Sequence, residues 1–132
     1  MKVAELMRTD LASVARDATV GEAIVTLTDV HVLGLPVVDG QRFVGVISTT
    51  DVLDAVAERG RGGDLSRFLE TTLVGDLMTS KPETVSPGDD VKMAAQEMLY
   101  LGIHRVFVVD NDQLVGVLSA SDVVQAYANG KL

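Results

Sequence analysis

Hydrophobic residues recur along this chain with the spacings of amphipathic helices and short buried strands. One helix is predicted where apolar residues fall at i, i+3, i+4, i+7 and i+8, namely Val91, Ala94, Ala95, Met98 and Leu99. A matching helix is predicted in the first half, where the same spacing is occupied by Val20, Ala23, Ile24 and Leu27. Gly102 predicts the end of the later helix, since glycine readily adopts the left-handed conformation found there.

Short apolar runs at residues 35–38, 44–47, 106–109 and 115–118 predict strands. The turn residues Asp39-Gly40 and Asp110-Asn111-Asp112 separate them into two hairpins. Pro36 has no N–H to donate to a sheet, so we expect it at a strand start or edge. Extended pieces at residues 13–14 and 84–85, each preceded by a short helical turn, complete a β-α-β-β-α order that occurs twice.

The two halves are copies at a fixed offset of 71 residues, which aligns residues 3–57 with 74–128 without a gap and leaves 17 of 55 positions identical. We predict a first repeat at residues 1–58, a connector at 59–73 and a second repeat at 74–132. A unit of this size buries only about 60% of its surface alone. We therefore expect an α/β protein in which the repeats share a core and pack with pseudo-twofold symmetry into one compact module.

Two seven-residue stretches, at 45–51 and 116–122, are the most chemically suggestive part of each repeat. Each reads as an apolar strand, then hydroxyl residues, then an Asp at the start of a helix. The first N–H groups of a helix are unpaired and lie at the positive end of its dipole. The junction therefore suits a phosphate or the hydroxyls of a sugar.

The chain is acidic, with a net charge of −8 and a pI near 4.5. This charge disfavours nucleic acid as a partner, because binding a nucleic-acid backbone needs a basic face. An anionic nucleotide is compatible with it if local cations offset the overall charge, and the candidates are Arg105, Lys81, Lys92 and Arg67. The acidic balance is alternatively a solvated surface that keeps the protein in solution.

Several functional classes have little support in the sequence. The chain has no Cys and two His, which excludes disulfides and argues against a metal centre. No apolar run approaches the roughly 20 residues of a membrane-spanning helix, and the first residues lack a signal-peptide layout, so we expect a cytoplasmic protein without a membrane partner. No catalytic triad or glycine-rich phosphate loop is apparent, and we expect no enzymatic activity.

The ordered set of motifs resembles the CBS domain, a family named for cystathionine β-synthase. The motifs are Asp-Leu-Met-Thr at 76–79, Thr-Val-Ser-Pro at 84–87, Gly-Ile-His-Arg-Val-Phe-Val-Val-Asp at 102–110, and the stretches 45–51 and 116–122. The resemblance implies a tandem pair of CBS units with an adenosyl ligand in clefts between the repeats. The implied ligand is AMP, ADP or ATP, or else S-adenosylmethionine, and no further cofactor is required.

The resemblance also implies which residues bind. Asp51 and Asp122 would accept hydrogen bonds from ribose hydroxyls, and the donors to ribose or phosphate would be Ser48, Thr50, Ser119 and Ser121. The adenine would be lined by backbone amides and apolar side chains of Ser13, Val14, Thr84 and Val85. His104 and Arg105 resemble a pair that approaches phosphate in nucleotide-sensing members of the family.

Each of these residues also has a structural interpretation. Hydroxyl residues and Asp at a helix start are the usual capping residues, and a duplication copies capping signals as faithfully as binding ones. His104 could be an ordinary strand residue, and Arg105 could pair with a surface carboxylate. His31 has no counterpart in the second repeat, where Gly102 stands, and we expect it to be structural.

The repeats are unequal at one implied phosphate contact, because His104 and Arg105 align with Leu33 and Gly34. We therefore predict one strong site and one weak or empty site. The sequence as a whole predicts a stand-alone ligand-sensing regulatory module that forms a homodimer and signals to an unidentified effector protein. The alternatives are a ligand-free dimerisation or protein-interaction module, or the regulatory partner of a separate enzyme or transporter.

Overall fold

The computed structural model describes residues 1–59, 64–80 and 82–132, and in these ranges the chain is a mixed α/β protein. Its helices are α1 (Val3–Leu6), α2 (Val20–Asp29), α3 (Thr49–Arg59), α4 (Leu65–Thr71), α5 (Val74–Leu77), α6 (Val91–Leu101) and α7 (Ala120–Ala128). Its strands are β1 (Val14–Ala15), β2 (Gly34–Asp39), β3 (Arg42–Ser48), β4 (Thr79–Ser80), β5 (Thr84–Val85), β6 (Arg105–Asp110) and β7 (Gln113–Ser119). The candidate cation Lys81 and the glycine-rich residues 60–63 of the connector lie outside the described ranges.

The predicted β-α-β-β-α order is confirmed in both copies, as β1-α2-β2-β3-α3 and as β5-α6-β6-β7-α7. α6 ends where predicted, because Gly102 caps it in the left-handed conformation with a φ of 67°. The second hairpin turns at Asn111 and Asp112, whose φ angles of 52° and 65° are those that a tight two-residue turn requires. The two-residue strand β4 was not predicted.

The chain divides into two compact units. Unit 1 consists of Met1–Leu11 and Glu83–Leu132, and unit 2 consists of Ala12–Pro82. The helical turn that opens each repeat therefore packs on elements of the other copy: α1 on α6, α7 and β7 in unit 1, and α5 on α3 in unit 2. Each unit thus contains residues of both repeats.

Each unit has its own hydrophobic core, formed between its strands and its helices. The core of unit 1 consists of Val3, Val91, Ala94, Met98, Val106, Val108 and Leu118. The core of unit 2 consists of Val14, Ala23, Leu27, Leu35, Val37, Ile47 and Val74. Val3 and Val74 each come from the opposite repeat, so both repeats contribute to each core. The sequence led us to expect one shared core, and the structure has two.

Pro36 is the third of the six residues of β2, so it does not start the strand, but it lies at a local edge because β1 has not yet begun beside it. The Thr49 N–H donates to the Leu33 carbonyl, so Leu33, which directly precedes β2, is a hydrogen-bonded position of the antiparallel pair between β2 and β3. Hydrogen-bonded positions alternate along such a pair, so Pro36, three residues later, falls at a position that does not donate to β3. Its nitrogen points to the other side, where β1 begins only at Val14 opposite Val37. No ladder bond is lost there.

Two buried glycines allow the opening segments of the repeats to cross the strands closely. A Cβ added to Gly116 would lie 2.7 Å from the sulfur of Met7 and 3.0 Å from the carbonyl oxygen of Arg8. A Cβ added to Gly45 would lie 2.7 Å from the carbonyl oxygen of Thr79. Only glycine fits at these positions without displacing the neighbouring backbone.

Candidate functional site

The two helix starts singled out in the sequence have the same local structure. The Ser119 hydroxyl accepts the Asp122 N–H at 3.1 Å, and the Asp122 carboxylate accepts the Ser119 N–H at 3.0 Å. Ser48 and Asp51 make the same reciprocal pair at 3.1 and 2.8 Å. These pairs are capping boxes, so the capping interpretation is confirmed. In the second copy the N-cap is Ser119 rather than Ser121.

Strand pairing places a group of residues on one face of the unit 1 strands. Residues opposite one another on paired strands point to the same face. Phe107 lies opposite Thr84 on β5 and opposite Val117 on β7, and Val117 in turn forms a bridge with Arg8. These four residues therefore form one row across the strands.

A second row lies two residues further along the same face, where Arg105 is opposite Ser119. We call the surface formed by Arg8, Thr84, Arg105, Phe107, Val117 and Ser119, together with the adjoining Asp122, the unit 1 site face. The opposite side of these strands is apolar and belongs to the core. The structure therefore brings together four residues of the predicted site, Thr84, Arg105, Ser119 and Asp122.

Asp122 is the most buried polar residue of this face, with an exposed fraction of 6%. One carboxylate oxygen accepts the N–H of Ser119, and the other accepts Nε of Arg8 at 3.0 Å. Burial raises the pKa of Asp122, but the interactions with Ser119 and with the Arg8 guanidinium outweigh it, and the pKa lies below its usual value. Asp122 is therefore an ionised acceptor at neutral pH.

Unit 2 repeats this arrangement with different side chains. Thr79 of β4 lies opposite Val46 of β3, and Gly34 lies opposite Ser48. The Thr79 hydroxyl approaches the Asp51 carboxylate at 3.5 Å, which is long for a hydrogen bond. The corresponding surface, formed by Pro36, Val46, Thr79, Gly34 and Ser48 with the adjoining Asp51, is the unit 2 site face.

Three of the predicted site residues, His104, Val14 and Val85, are not placed with the others by their side chains. His104 lines a groove between α6 and α7, on the core side of the strands and away from Arg105. Val14 belongs to the core of unit 2, and Val85 packs against the core of unit 1, so each can offer only backbone groups to a ligand. Ser13 precedes Val14 and therefore points to the site-face side.

Thr50 and Ser121 lie in the first turns of α3 and α7, and both are exposed. Each lies two residues after the capping serine, Ser48 or Ser119. The two further candidate cations are also exposed, Arg67 on α4 and Lys92 in the first turn of α6.

Arg8 is the charged residue of the unit 1 site face that sequence reasoning missed. It lies 114 residues from Asp122 along the chain, and no local pattern connects the two. One signal was present in the sequence: Arg8 aligns with Thr79, the last residue of the Asp-Leu-Met-Thr motif, at the offset of 71. An arginine in place of a threonine within a duplicated motif marks the position.

Each unit also has an apolar groove between its two long helices. In unit 1 a cavity of about 330 Å³ is lined by Ala95, Met98, Leu99, Gly102, Ile103, His104, Ala120, Val123 and Val124. In unit 2 a cavity of about 290 Å³ is lined by Ile24, Leu27, Thr28, Thr49, Val52, Leu53 and Val56. Leu99, Val124 and Leu53 are largely exposed at the rims, so these faces are open apolar surfaces.

The described ranges contain no cluster of three or more acidic, His or Cys side chains arranged to hold a metal ion. None of the helices described is both long and apolar enough to span a bilayer.

The fold, the duplicated strand-to-helix junctions and the motifs define this chain as a member of the CBS-domain family. The model of that family, described as CBS domain, matches residues 3–58 and again residues 74–129. The family resemblance predicted from the motifs is therefore confirmed.

Among curated proteins, the chain is similar to CBS domain-containing protein CBSX1, chloroplastic, of Arabidopsis thaliana, at 32% identity over 139 residues, or 89% of this chain and 59% of that protein. It is 27% identical over 124 residues to protein MJ1225 of Methanocaldococcus jannaschii, which is 93% of this chain and 41% of that protein. The chain thus spans about half the length of these relatives.

Among solved structures, the chain is similar to CBSX2 in complex with AMP, with a TM-score of 0.82 and 32% identity. The match covers 99% of this chain and 98% of that chain. CBSX2 is, like CBSX1, a chloroplastic protein of Arabidopsis thaliana. The cytoplasmic location expected for the present chain stays a prediction.

Proposed function

We propose that this chain is a stand-alone pair of CBS domains that binds an adenine nucleotide, AMP, ADP or ATP, and acts as a ligand-sensing regulatory module. The observation that carries the proposal is the unit 1 site face, which presents Thr84 on β5, Arg105 on β6, and Ser119 and Asp122 at the start of α7. The AMP complex of CBSX2, which is 32% identical over nearly the whole chain, supports the choice of ligand.

Asp122 has the chemistry needed to hold a ribose. An ionised carboxylate offers about four lone-pair positions, and in this chain one hydrogen bond from Ser119 and one from Arg8 use two of them. Two positions are left for the two vicinal hydroxyls of a ribose. The lowered pKa of Asp122 keeps both oxygens as acceptors at neutral pH.

The phosphate end of the ligand is assigned to the guanidinium of Arg105 and to the first turn of α7. Arg105 is exposed and opposite Ser119, and a guanidinium suits the planar, paired oxygens of a phosphate. The exposed Ser121 lies in the same turn, where unpaired N–H groups and the helix dipole favour an anion. The adenine is assigned to Thr84 and the backbone of Val85.

Unit 2 is proposed as the weaker nucleotide site. Its face has Asp51, Ser48 and the exposed Thr50, but it has Gly34 where unit 1 has Arg105. The extended residues Ser13 and Val14 take the place of Thr84 and Val85. S-adenosylmethionine is the alternative adenosyl ligand for either unit.

The regulatory action is proposed to be a population shift rather than catalysis. A ligand that binds one conformation or assembly of the protein more tightly than another stabilises the preferred state by the difference between its two binding free energies. An effector protein that recognises that state would then report the nucleotide concentration. Such an effector could be a separate enzyme or transporter.

A thermal-shift screen of the nucleotide-stripped protein tests this function. AMP, ADP, ATP, S-adenosylmethionine and GTP would be compared on the wild type, Asp122→Ala and Asp51→Ala. A ligand at 100 times its dissociation constant adds about 2.7 kcal/mol to the free energy of unfolding, which raises the melting temperature by several degrees. We expect an adenine compound to stabilise the wild type, Asp122→Ala to abolish most of the shift, and Asp51→Ala to retain it. Absence of a shift with every adenine compound would contradict the proposal.

A second candidate function, protein interaction without a ligand, is favoured by the apolar grooves. Leu99 and Tyr100 of α6 are 83% and 86% exposed, and Val124 and Tyr127 of α7 are 65% and 73% exposed. A second copy of the chain, docked through the same helices, would remove this apolar surface from water. A homodimer is therefore proposed with either function.

A further inference from the structure

One position contacts the helix-start carboxylate in both units but carries a different charge in each. In unit 1, Nε of Arg8 donates to Asp122 at 3.0 Å. In unit 2, the hydroxyl of Thr79 approaches Asp51 at 3.5 Å. Both pairs are related by the same offset of 71 residues, so the two side chains occupy the equivalent place in the two copies.

The backbone fixes Arg8 at the site face. Its N–H donates to the Val117 carbonyl and its carbonyl accepts the Val117 N–H, both at 2.9 Å. The Arg8 side chain is 62% exposed while its partner Asp122 is 6% exposed, so the guanidinium lies over the carboxylate on the open side. A ligand held by Asp122 would therefore meet Arg8.

The electrostatic consequence follows from the charges that face a ligand. The carboxylate of Asp122 alone would repel a phosphate bound nearby, but in unit 1 Arg8 neutralises it and Arg105 adds a further positive charge. In unit 2 the carboxylate of Asp51 is approached by a neutral hydroxyl, and Gly34 stands in the place of Arg105. Arg16, another cation of unit 2, packs against Gly75 of α5.

We propose that Arg8 and Thr79 set the charge of the ligand that each unit accepts. Unit 1 takes a phosphorylated adenosine compound, and unit 2 takes an adenosyl compound without a phosphate. The inference rests on the proposed adenosyl-binding function and assigns a different ligand class to each of the two sites. Arg8 acts on the phosphate directly, and it also neutralises Asp122.

Titration calorimetry with AMP and adenosine tests the inference. The proteins are the wild type, Arg8→Thr, Arg8→Lys and Thr79→Arg, with Lys131→Thr as a control of equal charge change. Lys131 lies beyond the far end of α7, about 13 Å from its first turn. Thermal unfolding of each variant shows whether it is folded before titration.

We expect Arg8→Thr to weaken AMP binding at least tenfold and adenosine binding less than threefold. Arg8→Lys should retain most of the AMP affinity, and Lys131→Thr should change neither ligand. Thr79 is exposed, and Thr79→Arg should add a second AMP site per chain. The wild-type AMP affinity should also fall more steeply with salt than that of Arg8→Thr.

The ratio of AMP to adenosine affinity is the deciding readout, and it is measured in an Asp51→Ala background so that both ligands report on unit 1. A residue of unit 1 with a purely structural role would weaken both ligands alike. An unchanged ratio in Arg8→Thr, with both ligands still bound, would overturn this inference and leave the proposed function standing. A gain in AMP affinity would also overturn it, because Arg8 would then be competing for Asp122. Failure of the wild type to bind either ligand would overturn both the inference and the proposed function.

Discussion

Asp122 and Asp51 occupy equivalent positions of a duplicated motif, yet their surroundings differ. Asp122 is buried and paired with a guanidinium, whereas Asp51 is partly exposed and faces a hydroxyl. The capping role of both could be predicted, because a capping box is a local pattern within four residues. The Arg8 contact could not, since it depends on strand pairing between segments 114 residues apart.

The ion pair of Asp122 predicts a specific dependence of stability on pH. Because the folded state lowers the pKa of Asp122, its stabilising contribution is complete above the pKa of the unfolded chain, near 3.9, and is lost as the pH falls through the folded value. At neutral pH we expect Asp122→Asn to cost about 1–2 kcal/mol, since an amide replaces a charged acceptor.

Urea unfolding at several pH values measures this effect. The difference in unfolding free energy between wild type and Asp122→Asn should shrink as the pH falls below about 4, where the unfolded carboxyl is protonated first, and it should level off once the folded carboxyl is protonated too. A difference that stays constant down to pH 2.5 would show that the charge of Asp122 does not stabilise the fold.

At the scale of elements, hydrophobic periodicity was sufficient to predict both long helices, both hairpins and their order. The sequence pattern failed where pairing with a distant segment determines the local structure. Pro36 lies inside β2 because β1 is too short to need its N–H, and the length of β1 is not evident from the sequence. β4 was missed because its two residues form a strand only by pairing with β3.

The crossing of the opening segment over β7 predicts the effect of a substitution at Gly116. In Gly116→Ala the added methyl would lie 2.7 Å from the Met7 sulfur, so Met7 and Arg8 must shift. We expect a loss of about 1–3 kcal/mol in the free energy of unfolding. Gly88→Ala is the matched control, since an added Cβ there meets no atom within 4 Å.

Chemical denaturation measures both variants, and an AMP titration shows whether the displaced Arg8 matters for binding. Equal stability of Gly116→Ala and Gly88→Ala would contradict the close packing of Met7 and Arg8 against β7.

At the scale of the whole molecule, the offset of 71 residues predicted a duplicated fold, and the family match bears this out. The composition of the compact units was not predictable from the repeat. Alignment shows which residues correspond, but it does not show that α1 packs with the second copy and α5 with the first. The same exchange brings Arg8 to Asp122.

The apolar grooves predict self-association of the full chain. Light scattering coupled to size-exclusion chromatography should give a dimer for the wild type. A charge in the groove should dissociate it, because burying an unpaired carboxylate is costly. Leu99→Glu and Val124→Glu should therefore be monomers with native circular dichroism.

Met93→Glu is the control for this experiment, because Met93 is an exposed apolar residue of the same helix that does not line the groove. It should remain a dimer. A monomeric wild type, or equal effects of Met93→Glu and Leu99→Glu, would contradict docking through this groove.

The central claim, that an adenine nucleotide binds on the unit 1 site face, is tested most directly by amide NMR spectra recorded during an AMP titration. We predict the largest shift changes at the backbone amides of Arg8, Thr84, Arg105, Ser119 and Asp122. Changes confined to the groove residues Leu99, Val123 and Val124, or no changes at all, would contradict the claim.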